Sequence, residues 1–130
     1  SVQNHSWDHA SMITLSNEGK NQEMSSTNIR VTEVTGVTPK CFRPPYGATS
    51  NNVTKVAQDN GLSVALWDID PRDWALPAPA SIVENIKNNA HNNAIVLLHD
   101  GGGNRNNTVA ALPSIIETLK NMGYQFRVLC

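Results

Sequence analysis

Residues 94–103 read AIVLLHDGGG, an unbroken apolar run followed by a histidine, an aspartate and three glycines. Such an apolar run is typical of a parallel strand that is covered on both faces. The segment therefore predicts a strand over residues 94–98, with His99 directly after it. Because parallel α/β folds gather functional residues at the carboxyl ends of their strands, His99 is a candidate site residue.

Helix and strand patterns alternate on both sides of this segment. Helices are predicted over residues 27–35, 51–60, 80–90 and 108–122, and short strands over residues 40–42, 62–67 and 124–129. Three glycines, Gly36, Gly61 and Gly123, lie where these helices should end. This order predicts an α/β protein with a parallel sheet.

Length and charge narrow the classes of function. The chain has 130 residues, 39% of them hydrophobic and 16% charged, with a net charge of −1. This length allows one domain at most. The charge provides no electrostatic basis for binding nucleic acid or an anionic membrane surface. No apolar run approaches the roughly 20 residues that span a bilayer.

Four polar clusters each follow a predicted strand. They are HSWDH at residues 5–9, RPPYG at 43–47, DIDPRDW at 68–74 and HDGGG at 99–103. Residues 1–4 have the pattern of the end of a strand that leads into the first cluster. Because the carboxyl ends of parallel strands converge, the four clusters predict one functional site.

The first cluster predicts a metal site. His5 and His9 are four residues apart, so on a helical turn both imidazoles face the same way. Two neutral imidazoles suit Zn²⁺ or a similar divalent ion, which usually takes a third protein ligand, often a carboxylate. Asp8 is a poor third ligand because helical spacing directs it away from both histidines. The alternative is a pair of packed or surface histidines.

The other clusters carry acid–base and binding chemistry. The prolines beside Arg43 stiffen its backbone, and a rigid guanidinium suits a carboxylate. Asp73 is a partner for a histidine or arginine, and Trp74 is a candidate wall for a sugar or apolar group. Each candidate has an alternative without a function. For Arg43 it is a surface salt bridge, for Asp73 and Trp74 a solvated acid beside a half-buried indole, and for His99 a packed histidine.

The two cysteines, Cys41 and Cys130, leave two alternatives open. One is a long-range disulfide, which would indicate an oxidising compartment. The other is a pair of buried thiols.

Taken together, the clusters resemble the polysaccharide deacetylases of carbohydrate esterase family 4, the NodB-homology domain. Four of the five family motifs match in order: HSWDH at 5–9, RPPY at 43–46, DPRDW at 70–74 and LLH at 97–99. The resemblance runs from the first residues nearly to the last. It implies an irregular (β/α) barrel of which residues 1–130 form the C-terminal part of a single domain.

The resemblance also implies a role for each matched residue. His5 and His9 would bind the metal, with Zn²⁺ first and Co²⁺ or Ni²⁺ as alternatives. The backbone N–H of Tyr46 would hold the oxyanion, and His99, paired with Asp73, would be the general acid. The further assignments are Arg43, which would orient the base, Trp74 and Leu97, which would line the acetyl pocket, and Asp70, which belongs to the same motif.

The first family motif, TFDD, does not occur in the chain. In the family its two aspartates are the general base and the third metal ligand. We therefore expect an upstream segment of the same domain, on the same or a separate chain, to supply them.

The resulting prediction is a secreted or cell-wall enzyme that removes N- or O-acetyl groups from a polysaccharide such as peptidoglycan, chitin or xylan. Two alternatives stay open: a non-catalytic fragment that keeps a carbohydrate-binding groove, and a structural α/β domain with an incidental metal site.

Overall fold

A computed structural model describes residues 1–130 and divides the chain into two compact units. The first comprises residues 1–66 and 128–130, and the second comprises residues 67–127. Helices and short parallel strand pairings occur together, so the fold is mixed α/β as predicted. None of the helices combines the length and the apolar character that crossing a membrane requires.

The first unit contains a short parallel sheet. β1 (Cys41–Phe42) pairs with β2 (Ser63–Val64), and an isolated parallel bridge joins Asn4 to Phe42. The Asn4 bridge places the first polar cluster directly after a strand pairing, as predicted. The predicted strand over 62–67 is shortened to β2, and residues 1–3 form no strand.

One helix precedes this sheet in the sequence, and a second lies between its two strands. α1 (Asn17–Thr35) begins ten residues before the predicted start, and α2 (Asn51–Asp59) agrees with its prediction. The Ser16 hydroxyl caps α1 by accepting a hydrogen bond from the Gly19 N–H at 3.1 Å. The first half of α1 is polar and buries only Lys20 and Met24, so it lacks the apolar periodicity on which the prediction relied.

The core of the first unit is formed by residues of both helices, of β1 and of the segments next to them: Met12, Met24, Phe42, Val53, Val56, Ala57 and Leu62. Burial of these side chains packs Phe42 of β1 into one core with residues of both helices. Gly36 and Gly61 both have left-handed backbone conformations, with φ of +74° and +73°, which explains why glycine follows α1 and α2.

A disulfide joins Cys41 to Cys130 within the first unit, with the two Cα atoms 6.1 Å apart. The alternative of two buried thiols is therefore wrong. The bridge connects residues separated by 89 positions, so it closes a loop that contains every residue of the second unit.

The second unit consists of two helices and a single strand contact. α3 (Pro79–Asn89) packs on α4 (Asn106–Asn121), close to the predicted ranges. Their shared core is formed by apolar residues of both helices and one residue before them: Ile69, Ile82, Ile86, Ala111, Ile115 and Leu119.

The predicted strand over residues 94–98 is reduced to one parallel bridge, between Ile69 and Val96. The Ile95 N–H donates to the Asp68 carboxylate at 2.8 Å, so a side chain takes a donor that a longer ladder would use. The predicted strand over residues 124–129 is wrong, since no strand forms there. Apolar patterning favours an extended backbone, but only a neighbouring strand turns it into a sheet.

Candidate active site

The two histidines of the first cluster lie in contact. Their ring centroids are 4.9 Å apart with the ring planes at 74°, and the His9 ring is 4.8 Å from the Tyr46 ring. The helical turn predicted for this cluster is wrong, because Ser6 and His9 have left-handed φ values of +66° and +59°. A looped backbone thus brings together the imidazoles that helical spacing was expected to align.

A backbone carbonyl orients the His5 ring. Its Nδ1 lies 2.6 Å from the Arg43 carbonyl oxygen. Because a carbonyl only accepts hydrogen bonds, Nδ1 carries the proton and the lone pair of the neutral ring lies on Nε2. Metal-binding histidines commonly have this arrangement, in which the second ring nitrogen donates to a carbonyl.

Glu23 of α1 holds the loop that carries the histidines. One of its carboxylate oxygens accepts hydrogen bonds from the backbone N–H groups of Trp7 and Asp8, both at 2.9 Å. The Ser6 hydroxyl accepts a further bond from the His9 N–H at 3.0 Å. These bonds fix the backbone between the histidines, and the sequence analysis missed Glu23 because α1 was predicted to begin after it.

Asn4 anchors the start of the same loop from inside the unit. Its side chain is buried, and its amide donates to the Met24 carbonyl and to Asn28 Oδ1, both at 2.8 Å. Its Oδ1 accepts from the Ser6 N–H at 3.0 Å. The sequence signal for this role is slight: a polar residue at the point where a strand meets a functional motif.

The second cluster forms a tight turn against the first. The Arg43 N–H donates to the Asn4 carbonyl at 2.9 Å, and Pro44 and Pro45 are fully buried. Tyr46 lies in the following 3₁₀ turn with φ +60° and an exposed side chain. The proline pair thus fixes the backbone of the turn, as expected, and places Tyr46 against His9.

The nitrogen donors of this region provide part of a binding site for a divalent ion. Two imidazoles in contact provide two of the nitrogen ligands that Zn²⁺ takes, and the orientation of His5 agrees with that role. The chain contains no cluster of three or more histidine, cysteine, aspartate or glutamate side chains able to hold a metal. A complete site of this type would need a further ligand from outside these residues.

In the second unit, Asp73 and His99 form a hydrogen-bonded pair. Asp73 is fully buried, and its Oδ1 lies 2.7 Å from His99 Nδ1. Its Oδ2 accepts from the His99 backbone N–H and from the Thr108 hydroxyl, both at 2.8 Å. The side chain of His99 is 35% exposed. The predicted pairing of these two residues is therefore present, with Thr108 as a third member that the sequence analysis missed.

Opposing effects set the pKa of Asp73. Burial raises the pKa, but the hydrogen bonds from the His99 side chain, the His99 backbone and Thr108 outweigh it, and the net pKa is lowered from 3.8. Asp73 is therefore a carboxylate at neutral pH. An ionised acceptor at Nδ1 orients the imidazole and stabilises a positive charge on it.

The remaining candidates, Trp74, Asp70 and Leu97, are close in sequence to Asp73 or His99. Trp74 follows Asp73 and is 45% exposed, with the Arg72 guanidinium carbon 4.9 Å from its ring centroid. Asp70 is exposed and accepts from the Arg72 N–H at 2.8 Å, which makes it part of the turn. Leu97 is buried, with 7% exposure, and its N–H donates to the Ile69 carbonyl at 2.9 Å.

Comparison with known proteins identifies relatives along the whole chain. The family described as polysaccharide deacetylase matches residues 1–65. A peptidoglycan-N-acetylglucosamine deacetylase of Bacillus cereus is 49% identical over 90 residues, covering 68% of this chain and 42% of that protein. A chitooligosaccharide deacetylase of Azorhizobium caulinodans is 31% identical over 140 residues, covering 98% of this chain and 67% of that protein.

Solved structures of relatives have the same fold over this region. A family 4 carbohydrate esterase from Streptomyces lividans, in complex with acetate, superposes with a TM-score of 0.92 at 34% identity, covering 99% of this chain and 65% of that one. A family 4 pseudoenzyme from Bacillus anthracis superposes with a TM-score of 0.90 at 32% identity, covering 96% and 43%.

The chain spans about two fifths of the length of the Bacillus cereus deacetylase and 18% of a bifunctional xylanase/xylan deacetylase of Cellvibrio japonicus, to which it is 34% identical. The matching motifs, sequence relatives and structures nevertheless agree on one family. The chain belongs to the polysaccharide deacetylases of carbohydrate esterase family 4.

Proposed function

We propose that residues 1–130 are the C-terminal part of a single NodB-homology domain, an irregular (β/α) barrel, which hydrolyses acetyl groups on a polysaccharide. The observation that carries this proposal is the hydrogen bond between His99 and the buried, ionised Asp73. That arrangement suits a general acid, and it occurs in a chain that also brings two imidazoles into contact.

The proposed metal ligands in this chain are His5 and His9. Zn²⁺ is the first choice, with Co²⁺ or Ni²⁺ as alternatives, because imidazole suits these ions. When bound by these histidines, such an ion would supply polarisation of the acetyl carbonyl and a lowered pKa of a bound water. The hydrogen bonds that Glu23 and Asn4 accept from the histidine loop support its backbone and favour the placement of both ligands.

His99 is the proposed general acid. Deacetylation releases an amine or an alkoxide, and either must receive a proton to leave. Asp73 holds the His99 Nδ1–H, so the proton that is transferred comes from Nε2. The partly exposed ring can then take up another proton from solvent.

Two groups in the second cluster serve the reacting carbonyl and the base. The backbone N–H of Tyr46 is proposed as a donor to the oxyanion, since neither preceding proline has an N–H. Arg43 is proposed to orient the carboxylate base, a role that suits a charged fork on a stiff turn. The contact between Tyr46 and His9 supports this arrangement because it ties the turn to a proposed metal ligand.

Three residues are proposed to contact the acetylated sugar. Trp74 presents a partly exposed indole ring, Leu97 contributes apolar surface near the acetyl methyl, and Asp70 accepts the Arg72 N–H in the turn before Trp74. The substrate class is an acetylated polysaccharide, in line with relatives named for peptidoglycan, chitooligosaccharide and xylan deacetylation. The disulfide supports a secreted or cell-wall location, where such bonds persist.

An upstream segment is proposed to complete the reaction centre. It would carry the general base and the third metal ligand as two aspartates, which the present residues do not include. This segment is the one protein partner that the proposal requires.

Acetate release tests the proposal. The chain is incubated with acetylated chitooligosaccharide, acetylated peptidoglycan or acetylxylan and Zn²⁺ or Co²⁺, alone and with a segment carrying the two aspartates. We expect acetate only from the combination, and loss of it in His99→Asn. His91→Asn is the matched control, because His91 is an exposed histidine of the same unit.

Full activity from the 130 residues alone would contradict the assignment of the base to an upstream segment. An active His99→Asn combination would contradict the role of His99.

A second function, glycan binding without turnover, has its own support. The matched pseudoenzyme shares the fold, and the described residues lack a third metal ligand. Binding of chitooligosaccharide with no acetate release from the combination would favour this alternative.

A further inference from the structure

The first turn of α4 and Arg105, the residue before it, are hydrogen-bonded to both loops that carry the Asp73–His99 pair, called here the acid pair. The Arg105 guanidinium donates to the carbonyls of Gly101, at 2.9 Å, and Gly102, at 3.2 Å, in the loop after His99. The Asn107 amide donates to the Pro77 carbonyl at 2.9 Å, in the loop after Asp73. These hydrogen bonds therefore link the start of α4 to both loops.

Thr108 lies in the same turn and reaches the acid pair directly. Thr108 is 6% exposed, and its hydroxyl is 2.8 Å from Asp73 Oδ2. Because an ionised carboxylate only accepts, the hydroxyl is the donor. Asp73 thus accepts three hydrogen bonds, two from His99 and one from Thr108.

The three bonds have separate effects on the carboxylate. The two donors at Oδ2 set the rotation of the carboxylate plane, and that rotation directs Oδ1 toward His99 Nδ1. The His99 backbone N–H belongs to the same residue as the imidazole, so it cannot hold the carboxylate independently of His99. Thr108, on a rigid helix, is the donor that does so.

We propose that Thr108 is a positioning residue for the general acid, whose hydroxyl holds Asp73 so that the His99 ring keeps its proton on Nδ1 toward the carboxylate. The catalytic part of this inference rests on the proposed function. The positioning part concerns only Asp73, His99 and Thr108 and is measured independently.

Two substitutions distinguish the effect of the Thr108 hydroxyl from the effect of its methyl group. Thr108→Val keeps the shape of the side chain and removes the donor, whereas Thr108→Ser keeps the donor. Thr118→Val makes the same chemical change later in α4, at a half-buried residue away from the acid pair.

The first readout is the proton NMR signal of the His99 Nδ1–H, recorded on the 130-residue chain. We expect a low-field, slowly exchanging signal in the unsubstituted chain, in Thr108→Ser and in Thr118→Val, and an upfield-shifted or exchange-broadened signal in Thr108→Val. A signal that is unchanged in folded Thr108→Val would overturn the proposal.

The second readout is acetate release from the chain combined with the upstream aspartate segment. We expect Thr108→Val to lower kcat about tenfold with KM unchanged, because positioning of the acid affects the transition state rather than substrate binding. Thr108→Ser should retain most of the activity. A rise in KM alone would overturn the positioning role.

The two readouts distinguish failure of the proposed function from failure of the positioning role of Thr108. If no combination releases acetate, the proposed function fails while the NMR signal still decides the role of Thr108. If Thr108→Val does not fold, Thr108→Ala at low temperature provides a second variant without the hydroxyl, and an unchanged signal there would equally overturn the proposal.

Discussion

Asp73 Oδ1 lies 2.7 Å from His99 Nδ1, across 26 residues of sequence, and the aspartate is completely buried while the histidine is 35% exposed. A buried carboxylate next to a ring that reaches the surface combines a fixed orientation with proton exchange. Asp73 therefore contributes both to the stability of its unit and to the chemistry proposed for His99.

The lowered pKa of Asp73 predicts how stability depends on pH. A carboxyl group whose pKa is lower in the folded than in the unfolded state stabilises the fold above its unfolded pKa, near 3.8, and this stabilisation is lost as the pH falls through the lower folded value. We expect Asp73→Asn to be less stable than the unsubstituted chain at neutral pH. The difference should shrink as the pH falls below about 3.8.

Urea unfolding of both chains between about pH 2 and pH 7 measures this difference. Asp59→Asn is the control, since Asp59 forms an exposed pair with Lys55, and exposed pairs contribute only about 0–1 kcal/mol. A stability difference for Asp73→Asn that is the same at every pH would contradict the prediction.

Zinc binding tests the two proposed metal ligands without any measurement of activity. Replacing one ligand of an incomplete site removes half of its protein donors, so His5→Ala and His9→Ala should each weaken Zn²⁺ binding by at least tenfold. Isothermal titration calorimetry of the chain with Zn²⁺ measures the affinity, and His91→Ala is the control for an exposed histidine elsewhere. Equal affinities in all four chains would show that Zn²⁺ binds at another position.

Glu23 should affect the same affinity although it is not a proposed ligand. Glu23→Ala removes the acceptor for the Trp7 and Asp8 N–H groups, and loss of a supporting partner typically costs about 10–100-fold in metal affinity. Glu33→Ala changes an exposed glutamate of the same helix and should have no effect. If Glu23→Ala binds Zn²⁺ as tightly as Glu33→Ala, the loop does not depend on Glu23.

The disulfide predicts a large effect of reduction. For a loop of this length the chain-entropy model gives about 4–5 kcal/mol as an upper estimate of the stabilisation. Urea unfolding of the chain before and after reduction, with Cys41→Ser/Cys130→Ser as a second form, measures the loss. Titration of the denatured, unreduced chain should detect no thiols, and two thiols would contradict the bridge.

The local sequence determined the helices whose patterns are strong. α2, α3 and α4 were predicted nearly to the residue because each combines apolar periodicity with a clear start or end, such as Ser50 before α2 and Gly61 after it. The ordered motifs likewise predicted the family, since four short patterns in one order are far more specific than any of them separately.

Contacts between distant residues were decided only by the tertiary structure. Strand lengths depend on the neighbours that a segment finds, so the apolar run at 94–98 became a single bridge. The start of α1 depends on a cap and on tertiary burial of Met24 rather than on periodicity. The approach of Cys41 to Cys130 was likewise open until their Cα atoms were placed 6.1 Å apart.

Some residues of the candidate site could likewise be predicted from the sequence, and others were revealed only by the tertiary structure. His5, His9, Asp73 and His99 could be proposed from the sequence because each belongs to a polar cluster that directly follows a predicted strand and matches a family motif. Glu23 and Thr108 were not, because glutamate and threonine are ordinary on helices, and nothing local distinguishes one that is exposed from one that meets a loop. Only the folded chain brings Thr108 within 2.8 Å of Asp73, since a hydrogen bond across 35 residues depends on packing and leaves no periodic pattern in the sequence.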